Sequence, residues 1–146
     1  MIIGENTHFQ KYLFLTALRR YNNQTFTPFI KIGNNCDFGA FNHISCTNEI
    51  TIGNGLLTGK WVTITDNNHG KTSLENLSIR PQDRCIVSKG KIRIGNNVFI
   101  GDKVTILSGV DIGDGAVVGA NCVVSKNIPA YCVAVGNPMK IISTNV

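Results

Sequence analysis

Apolar residues return every six positions along the C-terminal half of the chain. Read from Ile94, the blocks are IGNNVF, IGDKVT, ILSGVD, IGDGAV, VGANCV and VSKNIP. The first slot holds Ile94, Ile100, Ile106, Ile112, Val118 and Val124; the fifth holds Val98, Val104, Val110, Ala116, Cys122 and Ile128. The second slot is usually Gly. An amphipathic helix would space apolar residues three and four apart, and a plain sheet would alternate at two. A fixed period of six predicts a short strand followed by a turn of constant shape. Gly, Asn and Asp supply the backbone angles such a turn needs. Three blocks make one triangular coil. No coil buries its apolar slots alone, so coils stack and share a core. Small β-branched residues fill that narrow prism well.

The same period runs less cleanly through the N-terminal half. IGNNCD starts at Ile32, FGAFNH at Phe38 and ISCTNE at Ile44; after two extra residues come IGNGLL from Ile52, TGKWVT from Thr58 and ITDNNH from Ile64. IIGENTHF near the start reads as one more block. Two stretches break the period. Phe9, Tyr12, Leu13, Leu15, Thr16, Leu18 and Tyr21 have the spacing of a short amphipathic helix, so residues 9–29 are expected to form a helical insertion packed at one end. Residues 70–91 lack the repeat and are polar and charged. A loop of that length in a compact domain is usually functional or disordered. Residues 129–146 leave the repeat and are expected to cap the last coil and end in a tail, blunting the final edge. The chain thus reads as a single all-β domain over residues 1–146, a parallel β-helix.

Composition narrows the chemistry. Ile and Val are abundant and Leu modest, which favours strands. The net charge of +5 fits an anionic ligand, but no run of five like charges and no nucleic-acid motif is present, so no nucleic-acid partner is expected. The five cysteines include no CxxC pair and no leader peptide is legible, which predicts a reducing, cytoplasmic setting. The apolar stretch from Tyr12 to Leu18 is too short to span a bilayer, so no integral membrane segment is expected. Peripheral contact through it stays open.

Three histidines are available: His8, His43 and His69. None forms an HxxxH pair, and Cys36 and Cys122 fall in apolar fifth slots, so no metal is expected. That argues against a γ-class carbonic anhydrase, which needs three ligating histidines on a related solenoid. No GxSxG elbow supports a serine nucleophile. His69 ends the last block before the long loop, where a rigid coil holds the backbone and a loop can arch over it. Imidazole titrates near neutrality, so His69 is a candidate general base; a polar turn residue is the plainer reading. His43 reads as a solvated corner, and His8 has no assigned role. Lys89, Lys91, Arg93, Lys126 and Lys140 could meet phosphates or form a solvated basic end.

The stretches DNNHG at 66–70 and SKGKIRIGNNVFIGDKVTILSGVDIGDGAVVGANCVVSKNIPAYCVAVGNPMKII at 88–142 resemble the hexapeptide-repeat acyltransferases. The similarity points to the sugar O-acetyltransferases among them, including galactoside, maltose, capsule and lipopolysaccharide enzymes. It covers nearly the whole chain and is weakest over residues 1–30. It implies a left-handed helix, a homotrimer with active sites between subunits, and acetyl transfer from acetyl-CoA to a hydroxyl of a sugar or glycan precursor. It further implies that His69 is the general base and that Asn42, in Ala40-Phe41-Asn42, orients the acceptor. The cofactor path it implies includes Phe99, Gly101, Asp102, Gly119, Ala120 and Ser125, with Lys126 and Lys140 near the phosphates and a backbone N–H near Gly101 or Asp102 facing the oxyanion. In the stretch Asn97-Val98-Phe99-Ile100-Gly101, Phe99 stands where the family usually has tryptophan (NVWIG), and Asp102 replaces a smaller residue. The loop arginines Arg80 and Arg84 are candidate contacts for an acidic or phosphorylated glycan. Two other readings are an N-acetyltransferase acting on an amino sugar or small amine, and a non-catalytic scaffold.

Overall fold

The computed structural model describes residues 1–143. Three parallel sheets make up the solenoid. The first holds Ile2–Ile3, Phe29–Ile32, Glu49–Ile52, Ile92–Ile94 and Asp111–Ile112. The second holds His8–Phe9, Asp37–Phe38, Leu57–Thr58, Phe99–Ile100, Val117–Val118 and Val133–Val135. The third holds Phe14–Ala17, His43–Cys46, Thr63–Thr65, Thr105–Ile106 and Val123–Val124. The chain visits the sheets in rotation, so each circuit is one coil of a parallel β-helix.

Register explains why the period is six. The first slots stack in columns: Ile32, Ile52, Ile94 and Ile112 in sheet 1, and Ile44, Ile64, Ile106 and Val124 in sheet 3. These residues and the fifth-slot Val98, Val104, Val110, Ala116 and Cys122 are almost fully buried in one continuous core. Burying each large aliphatic side chain contributes about 1.5–3 kcal/mol. The second-slot glycines let coils approach closely. A Cβ on Gly101 would lie 2.6 Å from the backbone nitrogen of Ala120.

Two corners carry a left-handed turn residue in successive coils, and they differ. Between sheets 1 and 2 these are Asn6, Asn35, Gly55, Asn97, Gly115 and Tyr131. Between sheets 2 and 3 they are Tyr12, Phe41, Trp61, Lys103 and Asn121. Asn and Gly suit such angles, whereas other residues lose about 1–2 kcal/mol there. The three aromatic rings offset part of that by stacking, with centroids 4.9 Å apart for Tyr12–Phe41 and 4.2 Å for Phe41–Trp61.

The helix expected within residues 9–29 is not formed. Phe14–Ala17 is a strand pairing in parallel with His43–Cys46, and Arg20–Tyr21 with Gln24–Thr25 forms an antiparallel hairpin. The helical spacing mixed residues of different roles: Tyr12 is a corner turn at φ +62, and Leu15 packs inward on the core. The neighbouring coil supplies a ready ladder, and tertiary pairing overrides the local pattern. Residues 9–17 are part of the first coil, so the insertion is confined to the hairpin.

The loop at 70–91 is present. It contains the helix Leu74–Leu77, capped by Ser73, and the 3-10 turn Pro81–Asp83. At its exit, Lys91 Nζ lies 2.6 Å from a Glu49 carboxylate oxygen and ties the chain back to sheet 1. At the C-terminal end, Lys140–Ser143 folds back antiparallel on Val133–Val135 and covers the end of sheet 2. Residues 144–146 of the expected tail lie outside the described residues. Among the described residues, no helix is long and apolar enough to cross a membrane.

Candidate active site

The site begins at the point where the chain leaves the solenoid. Asp66 is fully buried there. One of its carboxylate oxygens accepts from the Thr47 backbone N–H at 2.8 Å and the Thr47 hydroxyl at 3.1 Å. The other accepts from the Asn48 N–H at 2.8 Å and the Cys46 thiol at 3.3 Å. Asp66 therefore fixes the departing chain to the coil below. Burial, then the Asp66 charge and its hydrogen bond, push the Cys46 thiol up to about 12. Asn67 adds a bond from its amide to the Ser45 carbonyl at 3.3 Å.

Asn68–His69 then pairs antiparallel with Ile86–Val87, making a two-stranded ribbon at the base of the loop. His69 is exposed, and among the described residues neither imidazole nitrogen is hydrogen-bonded. The Tyr21 ring meets the imidazole edge-on, centroids 5.1 Å apart at 78°. The Tyr21 hydroxyl donates to the Gln82 carbonyl. The Gln24 amide grips the backbone of Ile86, accepting from its N–H at 2.6 Å and donating to its carbonyl at 3.0 Å. The hairpin thus holds both His69 and its pairing partner. A cavity of about 640 Å³ opens beside His69, bordered also by Asn68, Lys71, Leu77, Arg84 and Lys89.

Asn42 does not join this site. It is 1% exposed. Its amide donates to the Thr58 hydroxyl, and its carbonyl oxygen accepts from the Val62 N–H at 2.8 Å. With its oxygen and one N–H bonded inside, the Asn42 amide links adjacent coils. The solvent side of that turn is occupied by Phe41.

The residues assigned to the cofactor path fall in separate places. Gly101, Asp102, Gly119 and Ala120 lie at the corner between sheets 2 and 3. There the Gly101 N–H is committed to the Val118 carbonyl at 2.8 Å and cannot face an oxyanion. Asp102 accepts from the Lys60 N–H at 2.9 Å, and the Gly119 N–H donates to the Ala134 carbonyl at 2.8 Å. Ser125 and Lys126 lie at the corner between sheets 3 and 1, the corner from which the His69 loop leaves, and both are exposed. Phe99 points outward from sheet 2, and Lys140 lies on the strand that covers the end of that sheet. One chain alone does not assemble these groups. Among the described residues, no cluster of His, Cys, Asp and Glu could hold a metal.

Residues 91–126 match the family model described as bacterial transferase hexapeptide (six repeats). A protein of Escherichia coli K12 named for lipopolysaccharide biosynthesis O-acetyl transfer is 38% identical over 117 residues, 77% of this chain and 59% of that protein. A Mycobacterium tuberculosis protein named as an acetyltransferase is 34% identical over 113 residues, 77% of this chain and 36% of its own length. The structure of a galactoside acetyltransferase in complex with coenzyme A superposes with a TM-score of 0.75 at 30% identity, over 97% of this chain and 64% of that one. The chain spans less than two thirds of each of these proteins. Fold and repeat together define a left-handed parallel β-helix. Over residues 91–126 the chain carries the repeat of the bacterial transferase hexapeptide family.

Proposed function

We propose that the protein transfers an acetyl group from acetyl-CoA to a hydroxyl of a sugar or glycan precursor, with His69 as general base. The observation that carries this reading is the His69 imidazole, uncommitted at the edge of a cavity and braced by Tyr21. The relatives named for O-acetyl transfer and the coenzyme A-bound galactoside acetyltransferase support the reaction class. An imidazole nitrogen takes the proton as the acceptor oxygen attacks the thioester carbonyl. The C–O bond forms, the C–S bond breaks, and the departing thiolate takes a proton from the imidazolium. Holding both substrates in one cleft lowers the entropic part of the barrier. No acetyl-enzyme is needed.

The separation of the proposed cofactor-path residues, six of them divided between two corners, supports a site completed by a second copy. A closed, parallel trimer would set the corner between sheets 2 and 3 of one copy opposite the His69 corner of its neighbour. Exposed Ser125 and Lys126 would then border the cleft from the His69 side. Lys126 and Lys140 are the cations proposed for the coenzyme phosphates.

Replacing His69 with Ala tests the mechanism. Turnover is expected to fall by roughly 10²–10⁴-fold, the usual contribution of a general base. The melting temperature and acetyl-CoA affinity should hold, because His69 is exposed and packs in no core column. Thiol release measured with a sugar panel reads the rate, and mass spectrometry reads the bond formed. Near wild-type turnover would remove His69 from the mechanism; amide rather than ester products would move the acceptor to an amine.

A further inference from the structure

The cavity beside His69 has a lining of one sign. Lys71, Arg84 and Lys89 border it, and no carboxylate does. The two loop arginines differ in what neutralises them. Arg80 is paired with Asp83 through bonds of 2.8 and 3.0 Å, pointing its charge into the loop itself. Arg84 has only neutral partners: its Nε donates to the Ile79 carbonyl at 2.9 Å and an Nη to the Leu77 carbonyl at 3.2 Å. These bonds fix its guanidinium without cancelling its charge. Its stem lies against Gly70, whose φ of +86 turns the chain just past His69. Among the described residues, neither Lys71 nor Lys89 has an acidic partner. The nearby Asp66 carboxylate is fully buried and engaged by the coil below.

We propose that the acceptor carries an anionic group, a carboxylate or a phosphate, seated among Lys71, Arg84 and Lys89 while its reacting hydroxyl lies at His69. This rests on reading His69 as the base of acetyl transfer. The phosphates of coenzyme A are a poor match for these cations. The pantetheine arm separates those phosphates from the thioester, so a thioester at His69 leaves them far from a cavity that His69 itself borders. An acceptor has no such spacer, and a charged substituent on a sugar ring lies within one ring's width of its hydroxyls. Arg84, held in place by backbone carbonyls, gives direction; the two lysines on the rim give charge.

The test uses matched sets of acceptors: glucose, galactose and mannose, each with its hexuronate and its 6-phosphate. At low salt, kcat/KM for the preferred charged member should exceed that of its neutral parent by about 10-fold or more, and the margin should shrink as salt screens the cations. The uronate and phosphate arms separate the two sources of charge. The double variant Lys71→Gln/Lys89→Gln should bring the charged member down towards its neutral parent, with KM for acetyl-CoA held. The lysines are the better targets, because Arg84 also ties the loop together. Equal use of charged and neutral members would overturn the proposal, as would a loss in the double variant that falls on KM for acetyl-CoA. If no hydroxyl in the panel is acetylated, the transfer reading itself is what fails. The anion site is then judged by calorimetry of the same uronates and phosphates on the His69→Ala protein, where binding no tighter than that of the neutral sugars overturns it.

Discussion

Asn42 and His69 show how a residue's slot in the repeat decides its use. Asn42 occupies the fifth slot of its block, the place taken by Cys36, Leu56 and Val62 in other blocks. Those three are buried, and so is Asn42. Its burial was therefore legible from the period. The structure predicts that Asn42→Ala acts on stability. It strands the Val62 N–H and deprives the Thr58 hydroxyl of a partner, at a cost of about 1–3 kcal/mol. Urea denaturation should show that loss, with KM for the acceptor little changed in the folded protein; a raised KM at full stability would contradict it. Cys46 makes a second prediction. Its thiol is pushed from an ordinary 9.0 to about 12, so the folded state holds the proton that the unfolded chain releases. That contribution to stability is complete below pH 9 and is lost as pH rises from 9 towards 12. Burial raises the Cys122 thiol too and adds a loss of the same sign. Cys46→Ala should flatten the alkaline decline in melting temperature relative to wild type. An unchanged slope would mean that Cys46 does not drive it.

Among the elements, the hairpin of Arg20–Tyr21 and Gln24–Thr25 was the least legible and bears most closely on the site. A helical period masked it, yet Tyr-Asn-Asn-Gln carries a turn signal, with Asn22 at φ +50. The sequence could not say that the hairpin would meet a loop sixty residues later. That contact depends on where the coils stop, and the first irregular coil hides the count. The loop's position, by contrast, was plain from the loss of period after His69. Tyr21 separates two effects within this element. Tyr21→Phe keeps the ring on His69 and loses only the hydroxyl bond to Gln82. Tyr21→Ala loses both. We expect Tyr21→Ala to lower kcat about 10-fold by loosening the base, and Tyr21→Phe to retain most of it. Hydrogen exchange across 70–85 should quicken in both. Equal turnover in the two variants would take the ring out of the positioning of His69.

Seen whole, the solenoid was readable because each coil repeats one physical requirement: an aliphatic slot facing the prism and a turn residue at the corner. What the repeat could not reveal is which corner holds chemistry, since every corner satisfies the same rule. The structure distinguishes them by the loop at one and the aromatic stack Tyr12–Phe41–Trp61 at another. Assembly is the prediction at this scale. Sheet 2 carries an outward column of exposed Leu57 and Phe99 and half-buried Val117, and one chain leaves the proposed cofactor-path residues apart. Sedimentation equilibrium at micromolar concentration should give a trimer, and specific activity should fall on dilution below its dissociation range. A monomer of full activity would exclude a shared site.

The ladder closes across the loop as though the loop were absent. Ile52 pairs with Ile94, and Ile64 with Ile106, in the same register that joins coils with no insertion between them. If the cavity seats the acceptor as proposed, folding and selectivity are thereby held in different parts of one chain. Substitutions within 72–85 touch no rung of the prism, so that segment is free to drift, lengthen or be exchanged while the frame persists. For an engineer, it is a cassette: a foreign segment joined between Gly70 and Ile86 changes what the cavity admits without asking the core to refold around it. For a lineage, it is a way to revise its chemistry at the rate at which a surface loop changes.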